Sequence, residues 1–428
     1  MRLLPQIRFC GVLILLLACV PLLAAEPAAD STQWPRFRGP GGNGYLPQAS
    51  IPDQWDADDY DWQFDFGSRD VGSPIVQGGK VFLLATSPDS KNRKVVAIDL
   101  ASGQSLWERS YPIAPYHTHS RNTYASSTPA ANDTHLFVAW GEPTQTILKC
   151  FTHDGEEVWT RNFGSWVSQH GFGTSPALIG DLLVFFDSQQ GGQLPAGVPP
   201  GQSRMIAVQP ATGETVWETP LTTTRVCYGV PALYAPAGGK KQIVAANTGD
   251  GLFGLDYATG KKLWNEKVFS ARCVSSPVVA GDLIVGTAGS GGGGNHLVAV
   301  RPTGDSAAEV YRITRGAPYV PSPVVAQSSM FLIDDKGFAS CIDAATGDVH
   351  WMKRVGGNYG ASPLVAGDKL LVISLNGEAT VLAAKTEYAE IAKFDLGGPV
   401  GATPLLSDGR LLLRIGNRLC CLNVQSGS

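Results

Sequence analysis

A Ser-Pro dipeptide or a close variant opens an apolar strand eight times along the 428 residues: at Ser73-Pro74, Thr128-Pro129, Ser175-Pro176, Val230-Pro231, Ser276-Pro277, Ser322-Pro323, Ser362-Pro363 and Thr403-Pro404. Each opening leads into a short Gly turn and then an aromatic residue. The pattern is clearest in Asp99-Leu-Ala-Ser-Gly-Gln-Ser-Leu-Trp107, Asp256-Tyr-Ala-Thr-Gly-Lys-Lys-Leu-Trp264 and Asp343-Ala-Ala-Thr-Gly-Asp-Val-His-Trp351. Self-similarity at a period of roughly 40–55 residues is the mark of a propeller or solenoid.

Within one unit the text reads as four strands separated by turns. The sixth gives Pro323-Val-Val-Ala, Met330-Phe-Leu-Ile, an Asp334-Asp-Lys-Gly337 turn, Phe338-Ala-Ser-Cys-Ile342, the Thr346-Gly347 turn and Val349-His-Trp351. Short apolar runs rich in Val, Ile and Phe, bounded by Gly and Asp, are strand signals, and no helix fits. Four such strands make a blade, and radial packing leaves only short protected edges.

The chain ends supply the argument for closure. The last unit stops at Asn423-Val-Gln-Ser-Gly427-Ser428, the turn before an aromatic strand that never arrives, and the missing strand stands at the other end as Asp61-Trp-Gln-Phe-Asp-Phe66. An all-β, eight-bladed propeller of four-stranded antiparallel blades is therefore expected over residues 60–428, closed by an N-terminal strand that completes the last blade. That arrangement removes open edges that invite aggregation. The aromatic positions become Trp62, Trp107, Trp159, Trp217, Trp264, Tyr311, Trp351 and Phe394.

The 50 glycines and the 16% charged fraction suit a turn-rich β domain. A formal charge of -4 without clustered Lys and Arg excludes a nucleic-acid footprint. Residues 1–25 read as a secretory signal peptide: Arg2 and Arg8 flank the n-region, Val12 to Leu17 form the apolar core, and Leu23-Ala-Ala25 offers a cleavage site. Its apolar part is too short for a transmembrane span. A lipid anchor at Cys19, within the partial lipobox Leu16-Leu-Ala-Cys19, is the competing reading. Either way the chain is exported, to the periplasm, the extracellular space or the outer membrane as a lipoprotein. Residues 26–59 form an extended segment ahead of the propeller, and a monomer is expected.

Cys150, Cys227, Cys273, Cys341, Cys420 and Cys421 follow the leader without a CxxC. Cys341 and Cys421 occupy the place that Ala97 holds in the first blade, as small buried fillers. Adjacent Cys420 and Cys421 lie mid-strand, where neighbours point to opposite faces. Cys227 and Cys273 each precede the blade proline by four residues on consecutive blades and can approach near the channel. Divergence of adjacent inner strands argues against a bridge between them.

The Asp-x-x-Thr/Ser-Gly-x-x-x-Trp turns, the Ser-Pro blade starts and the early Trp34-Pro-Arg-Phe-Arg-Gly-Pro-Gly-Gly-Asn-Gly44 resemble exported bacterial PQQ-binding-like β-propeller repeat proteins, from about Trp34 to the C-terminus. The resemblance implies tryptophan docking, each aromatic packing into the neighbouring repeat. It is similar to two branches, the quinoprotein dehydrogenases and the outer-membrane protein assembly factor BamB, a non-enzymatic lipoprotein. Such repeats specify architecture and leave activity to the site.

The connections entering each innermost strand surround the channel mouth. They read Ser68-Arg69-Asp70, His117-Thr-His119-Ser-Arg121-Asn-Thr-Tyr124, Trp166-Val-Ser-Gln-His170, Thr224-Arg225-Val-Cys-Tyr228, Ala271-Arg272, Ala317-Pro-Tyr319 and Asn358-Tyr359. The candidate ligand-binding residues are Arg69, Asp70, His119, Arg121, Tyr124, His170, Arg225, Tyr228, Arg272, Tyr319 and Tyr359. Arginines recurring on separate blades favour an anionic or carboxylate-bearing ligand through forked hydrogen bonds; the plain alternative is that they satisfy inner-strand carbonyls and channel water. Two long loops, Asp187 to Arg204 and Thr287 to His296, share this face.

Catalytic and metal signals are weaker. His117-Thr-His119 lacks nearby Cys or carboxylate ligands, and Gly291 to Gly294 lacks the Lys-Ser/Thr and helix of a phosphate cradle. A quinoprotein dehydrogenase needs a calcium site of Glu, Asn and Asp oxygens and a carboxylate base, yet no Glu stands in the inner-strand connections. No catalytic residue, metal or cofactor is expected. The leading expectation is a non-enzymatic scaffold or binding propeller for an envelope protein or extracellular polymer; the alternative is a PQQ- and calcium-dependent oxidoreductase acting on an alcohol or sugar.

Overall fold

The computed structural model describes residues 32–424; the signal peptide, Cys19 and the terminal Gly427 turn lie outside them. Eight antiparallel sheets form the propeller: blade 1 (75–112), blade 2 (130–162), blade 3 (177–221), blade 4 (232–266), blade 5 (278–313), blade 6 (324–354), blade 7 (364–395) and blade 8 (405–423). Blade 8 takes its fourth strand from Tyr60–Asp65, with Trp62 opposite Cys421 and Phe64 opposite Leu419. The ring closes as the two ends of the sequence predict. The helical content among the described residues is one short 3-10 turn, Ala57–Asp59, capped by Asp56.

Burial explains the strand grammar. Second and third strands such as Leu182–Asp187 and Gly251–Asp256 are buried along their whole length because neighbouring blades cover both faces, so they read as continuous apolar runs. Outer strands such as Ser105–Pro112 alternate between partly buried and exposed residues.

Each outer strand carries a bulge one residue before its docking position. In blade 1 the bulge is Leu106, between Ser105 (opposite Ile98) and Trp107 (opposite Ala97); in blade 8 it is Asp61, and in blade 6 it is His350. A bulge re-aims the following side chain, here toward the next blade. Trp62 thus donates to Leu100 O (3.0 Å), Trp107 to His153 O (2.8 Å), Trp159 to Pro210 O (2.9 Å), Trp217 to Tyr257 O (3.0 Å), Tyr311 to Ala344 O (2.9 Å) and Trp351 to Lys385 O (2.9 Å). Each acceptor lies in the turn of the following blade. Trp62 packs on Gly103, where φ is +71° and an added Cβ would sit 2.5 Å from the ring.

Two aromatics depart from the expected docking. Trp264 donates to Gln242 Oε1 of its own blade at 2.6 Å. The neighbouring blade 5 replaces the Asp-x-x-Thr-Gly turn by a tight hairpin, Thr303 opposite Ser306. Phe394 is not the docking residue of blade 7: the bulge there is Ile391, so Ala392 holds that position. Phe394 instead meets Trp55 edge-on at 4.7 Å.

The blade-opening hydroxyls form a second belt around the channel. The amide of Ser73 donates to Thr128 Oγ1 (3.2 Å), Thr128 to Ser175 (2.9 Å), Val230 to Ser276 (2.9 Å), Ser276 to Ser322 (2.9 Å), Ser322 to Ser362 (3.0 Å), Ser362 to Thr403 (3.0 Å) and Thr403 to Ser73 (3.0 Å). The belt skips the step from blade 3 to blade 4, where Val230 has no hydroxyl to accept from Ser175.

The segment ahead of blade 8 crosses the channel. Trp34 exchanges backbone bonds with Val76 (2.8 and 3.0 Å), and Pro35 O accepts from Ala131 (2.8 Å). Arg36 reaches Leu178 O (3.3 Å) and Pro231 O (2.7 Å), while Arg38 donates to Pro323 O. Tyr45–Leu46 then pairs in parallel with Val365 and Ala366. Contacts to the inner edges of blades 1, 2, 3, 4, 6 and 7 in succession mean that this stretch spans the hole and closes one end. Burial lowers Arg36 to a pKa of about 10 and Arg38 to about 9, so both stay charged at neutral pH, with carbonyl partners and no carboxylate.

Candidate functional site: a blind cup at the channel mouth

Closing one end leaves a cup of about 720 Å³ open on the face of the inner-strand connections. Its walls include the belt residues Ser73, Thr128, Ser175, Ser276, Ser322, Ser362 and Thr403, and Phe37 of the crossing segment also lines it. Around the walls stand Arg69, His119, Arg121, His170, Tyr228, Arg272 and Tyr319, with Asn122 and Asn376. No Asp or Glu is among the lining residues. Cups of this size on rigid scaffolds are the usual place for ligands.

The basic groups are held at different depths. Arg272 is buried at 8% exposure, donates through Nε to Val226 O (3.0 Å) and has Nη1 3.5 Å from the Tyr319 hydroxyl. Arg69 and Arg121 are exposed at the rim. Arg121 faces Asp335 across the mouth at 4.0 Å. Asp335 Oδ2 accepts the amides of Tyr319 (2.7 Å) and Val320 (3.3 Å), and burial raises its pKa. The His119 and His170 rings meet edge-on at 5.2 Å. Burial, reinforced by the charge of Arg272 and by His119, pushes His170 down to about 4, so it is neutral at pH 7. Tyr228 donates to Gly171 O at 3.1 Å, and burial raises its pKa.

Four candidate residues are placed elsewhere. Asp70 lies beneath the wall in an ion pair with Arg414 (3.3 Å), and it also accepts the amide of Thr86 (2.9 Å). Tyr124 donates to Tyr116 O (2.9 Å). Tyr359 is fully buried in the packing between blades 6 and 7. Arg225 is partly buried outside the cup lining, and its amide donates to Thr248 Oγ1 (3.2 Å). Sequence reading missed Asp335 and Asn376, which sit in turns between second and third strands; those turns share the mouth face, and that was the available signal. Phe37 had none, because nothing local shows that its segment crosses the channel.

A calcium ion needs about 6–8 oxygen ligands, with carboxylates prominent. Asp70 is committed to Arg414 and Thr86, while Asp335 spends Oδ2 on two amides and leaves the buried Oδ1 without a hydrogen bond, 4.0 Å from Arg121. Trp166, a candidate stacking face for a planar quinone, is buried and donates to Ser188 O at 3.0 Å. Among the described residues no three His, Cys, Asp or Glu side chains form a cluster that could hold a metal ion. The cup lining therefore offers an ion hydroxyls, amides and carbonyls but no carboxylate of its own.

The family described as outer membrane protein assembly factor BamB matches residues 53–198, 201–307 and 306–391. The chain belongs to this family of PQQ-binding-like β-propellers. No curated protein matches its sequence. Among solved structures, this BamB-family propeller is similar to the quinohemoprotein alcohol dehydrogenase of Comamonas testosteroni, with 13% identity and a TM-score of 0.64 over 94% of this chain and 82% of that one. It is also similar to BamB of Moraxella catarrhalis (13%, TM-score 0.56, 84% and 98% covered) and to Saccharomyces cerevisiae Sqt1 (12%, TM-score 0.61, 85% and 98% covered). At such identities the likeness is one of fold. In the described residues no helix is long and apolar enough to cross a membrane.

Proposed function

We propose that this BamB-family propeller is an exported, non-enzymatic binding module whose cup holds an anionic, carboxylate-bearing part of an envelope protein or extracellular polymer. The observation that carries this reading is the lining itself: Arg69, Arg121 and Arg272 all line one cup, with no carboxylate among the lining residues. Arginine forks match carboxylates in plane and spacing. Arg36 and Arg38, charged beneath the floor and paired only with carbonyls, add to the positive potential. Asp335 stands 4.0 Å from Arg121 at the rim, leaving the guanidinium free to fork onto an anion.

The second reading, a quinone-dependent oxidoreductase, draws on the dehydrogenase fold neighbour and on the same arginines, which also suit an acidic cofactor. The poor calcium donor set counts against it. The test is cross-linking in the native envelope with the intact protein, compared with Arg69→Ala/Arg121→Ala. A partner captured through the cup by the parent protein and lost with the variant supports the proposal. Equal capture by both, or calcium-dependent quinone binding with alcohol turnover, overturns it.

A further inference from the structure

Cys227 and Cys273 are fully buried on blades 4 and 5, at equivalent places in their inner-strand connections. The divergence expected of adjacent inner strands does not occur here. The Tyr228 amide donates to Cys273 O at 2.9 Å, which draws the two backbones to strand-pairing distance. The Cys273 amide donates to Cys227 Sγ at 3.5 Å, so the Cys227 side chain points at the Cys273 backbone. Their remaining sulfur contacts are to carbonyls of their own connections, Arg225 O at 3.4 Å and Ala271 O at 3.9 Å. A disulfide asks for neighbouring backbones about 4.4–6.8 Å apart at Cα and for side chains that face each other. No other pair of described cysteines combines these features: Cys420 and Cys421 face opposite sides of one strand, opposite Gln63 and Trp62.

We infer that Cys227 and Cys273 form a disulfide that staples blade 4 to blade 5 at the wall of the cup. The flanking residues give the bond its importance, since Tyr228 follows one sulfur, Arg272 precedes the other, and both line the cup. The bridge ties together positions 46 residues apart and fixes the spacing of an aromatic and a guanidinium in the binding wall. The chemistry is thiol-disulfide exchange with a small-molecule or protein disulfide, the oxidant class of an exporting compartment. The Cys227 thiolate attacks a sulfur of that disulfide, its S–S bond breaks, and the first thiolate leaves. Cys273 loses its proton and attacks Cys227 Sγ in the mixed disulfide, forming the intramolecular S–S bond and expelling the second thiolate. The two protein protons end on the two released thiols, so the protein loses two electrons and the oxidant gains two. Burial of both sulfurs places the exchange during folding, before the blades close.

The inference is independent of what the cup binds. The intact chain is refolded from denaturant in a mixture of oxidised and reduced glutathione, quenched with acid, unfolded again and alkylated with iodoacetamide. The expected mass shows two fewer alkyl groups than a sample reduced with dithiothreitol before alkylation, and digestion yields a peptide linking Cys227 to Cys273. Cys227→Ser abolishes that linkage and the difference in labelling. Equal alkylation with and without dithiothreitol, or a linkage joining other cysteines, overturns the inference. Secretion into an oxidising compartment and purification without reductant gives the same readout should refolding fail.

Discussion

The amide of Thr403 donates a 3.0 Å hydrogen bond to the hydroxyl of Ser73, 330 residues earlier in the chain. This bond carries the hydroxyl belt across the seam where blade 8 meets blade 1. Removing the acceptor leaves a buried amide without a partner, so Ser73→Ala should lower stability by about 1–2 kcal/mol in chemical denaturation, while Ser73→Thr retains most of it. Val230→Thr, nearly isosteric, supplies the acceptor missing where the belt breaks between blades 3 and 4 and should raise stability by about 0.5–1 kcal/mol.

Arg414 and Asp70 cross the same seam as a buried pair, and Arg414 also donates to Gly72 O (2.9 Å) and Leu84 O (3.0 Å). Asp70→Asn leaves the guanidinium buried without a counter-charge and should cost about 3–5 kcal/mol, whereas Arg414→Met with Asp70→Leu should recover much of that loss. Urea unfolding of the two variants beside the parent is the measurement.

Docking can be tested through glycine. Gly103→Ala meets both a left-handed backbone and the Trp62 ring 2.5 Å away; Gly304→Ala meets a left-handed backbone with open space around it. Both pay the local strain of about 1 kcal/mol, and Gly103→Ala should lose about 1–3 kcal/mol more through overpacking. Equal losses in thermal unfolding would show that the ring does not need the glycine.

His170 gives a pH dependence. Its folded pKa of about 4 lies below the ordinary histidine value of 6.5, so between these limits the unfolded chain binds the extra proton. Stability therefore rises with pH from about 4 to about 6.5 and is lost as acid is added. Because His170 is partly solvated, solvent screening holds the effect to about 1 kcal/mol. His170→Gln should flatten that part of a stability-pH curve.

Much of the fold was legible in the sequence. Eight openings in Ser-Pro, Thr-Pro or Val-Pro set the blade count, and the absent last strand matched to Trp62 set the closure. Phe394 misled because it is aromatic and two residues from the docking position that Ala392 holds; only the bulge at Ile391 tells them apart. Asp70 and Arg69 adjoin in sequence and part in space, since Arg414, which captures Asp70, comes from the far end of the chain. The crossing of the channel by Trp34 to Leu46 was illegible for the same reason: its contacts lie on six different blades. Arg121, Arg272 and Tyr319 could be assigned to the mouth because their positions follow from repeat phase alone.

The most direct test is isothermal titration of the intact protein with hexaglutamate, alongside the quinone PQQ with and without calcium. The account predicts one hexaglutamate site, weakened about tenfold or more in Arg69→Ala/Arg121→Ala and weakened by added salt, because rim charges are screened over about 10 Å at 0.1 M. Absence of hexaglutamate binding, or calcium-dependent quinone binding with alcohol turnover, would contradict it.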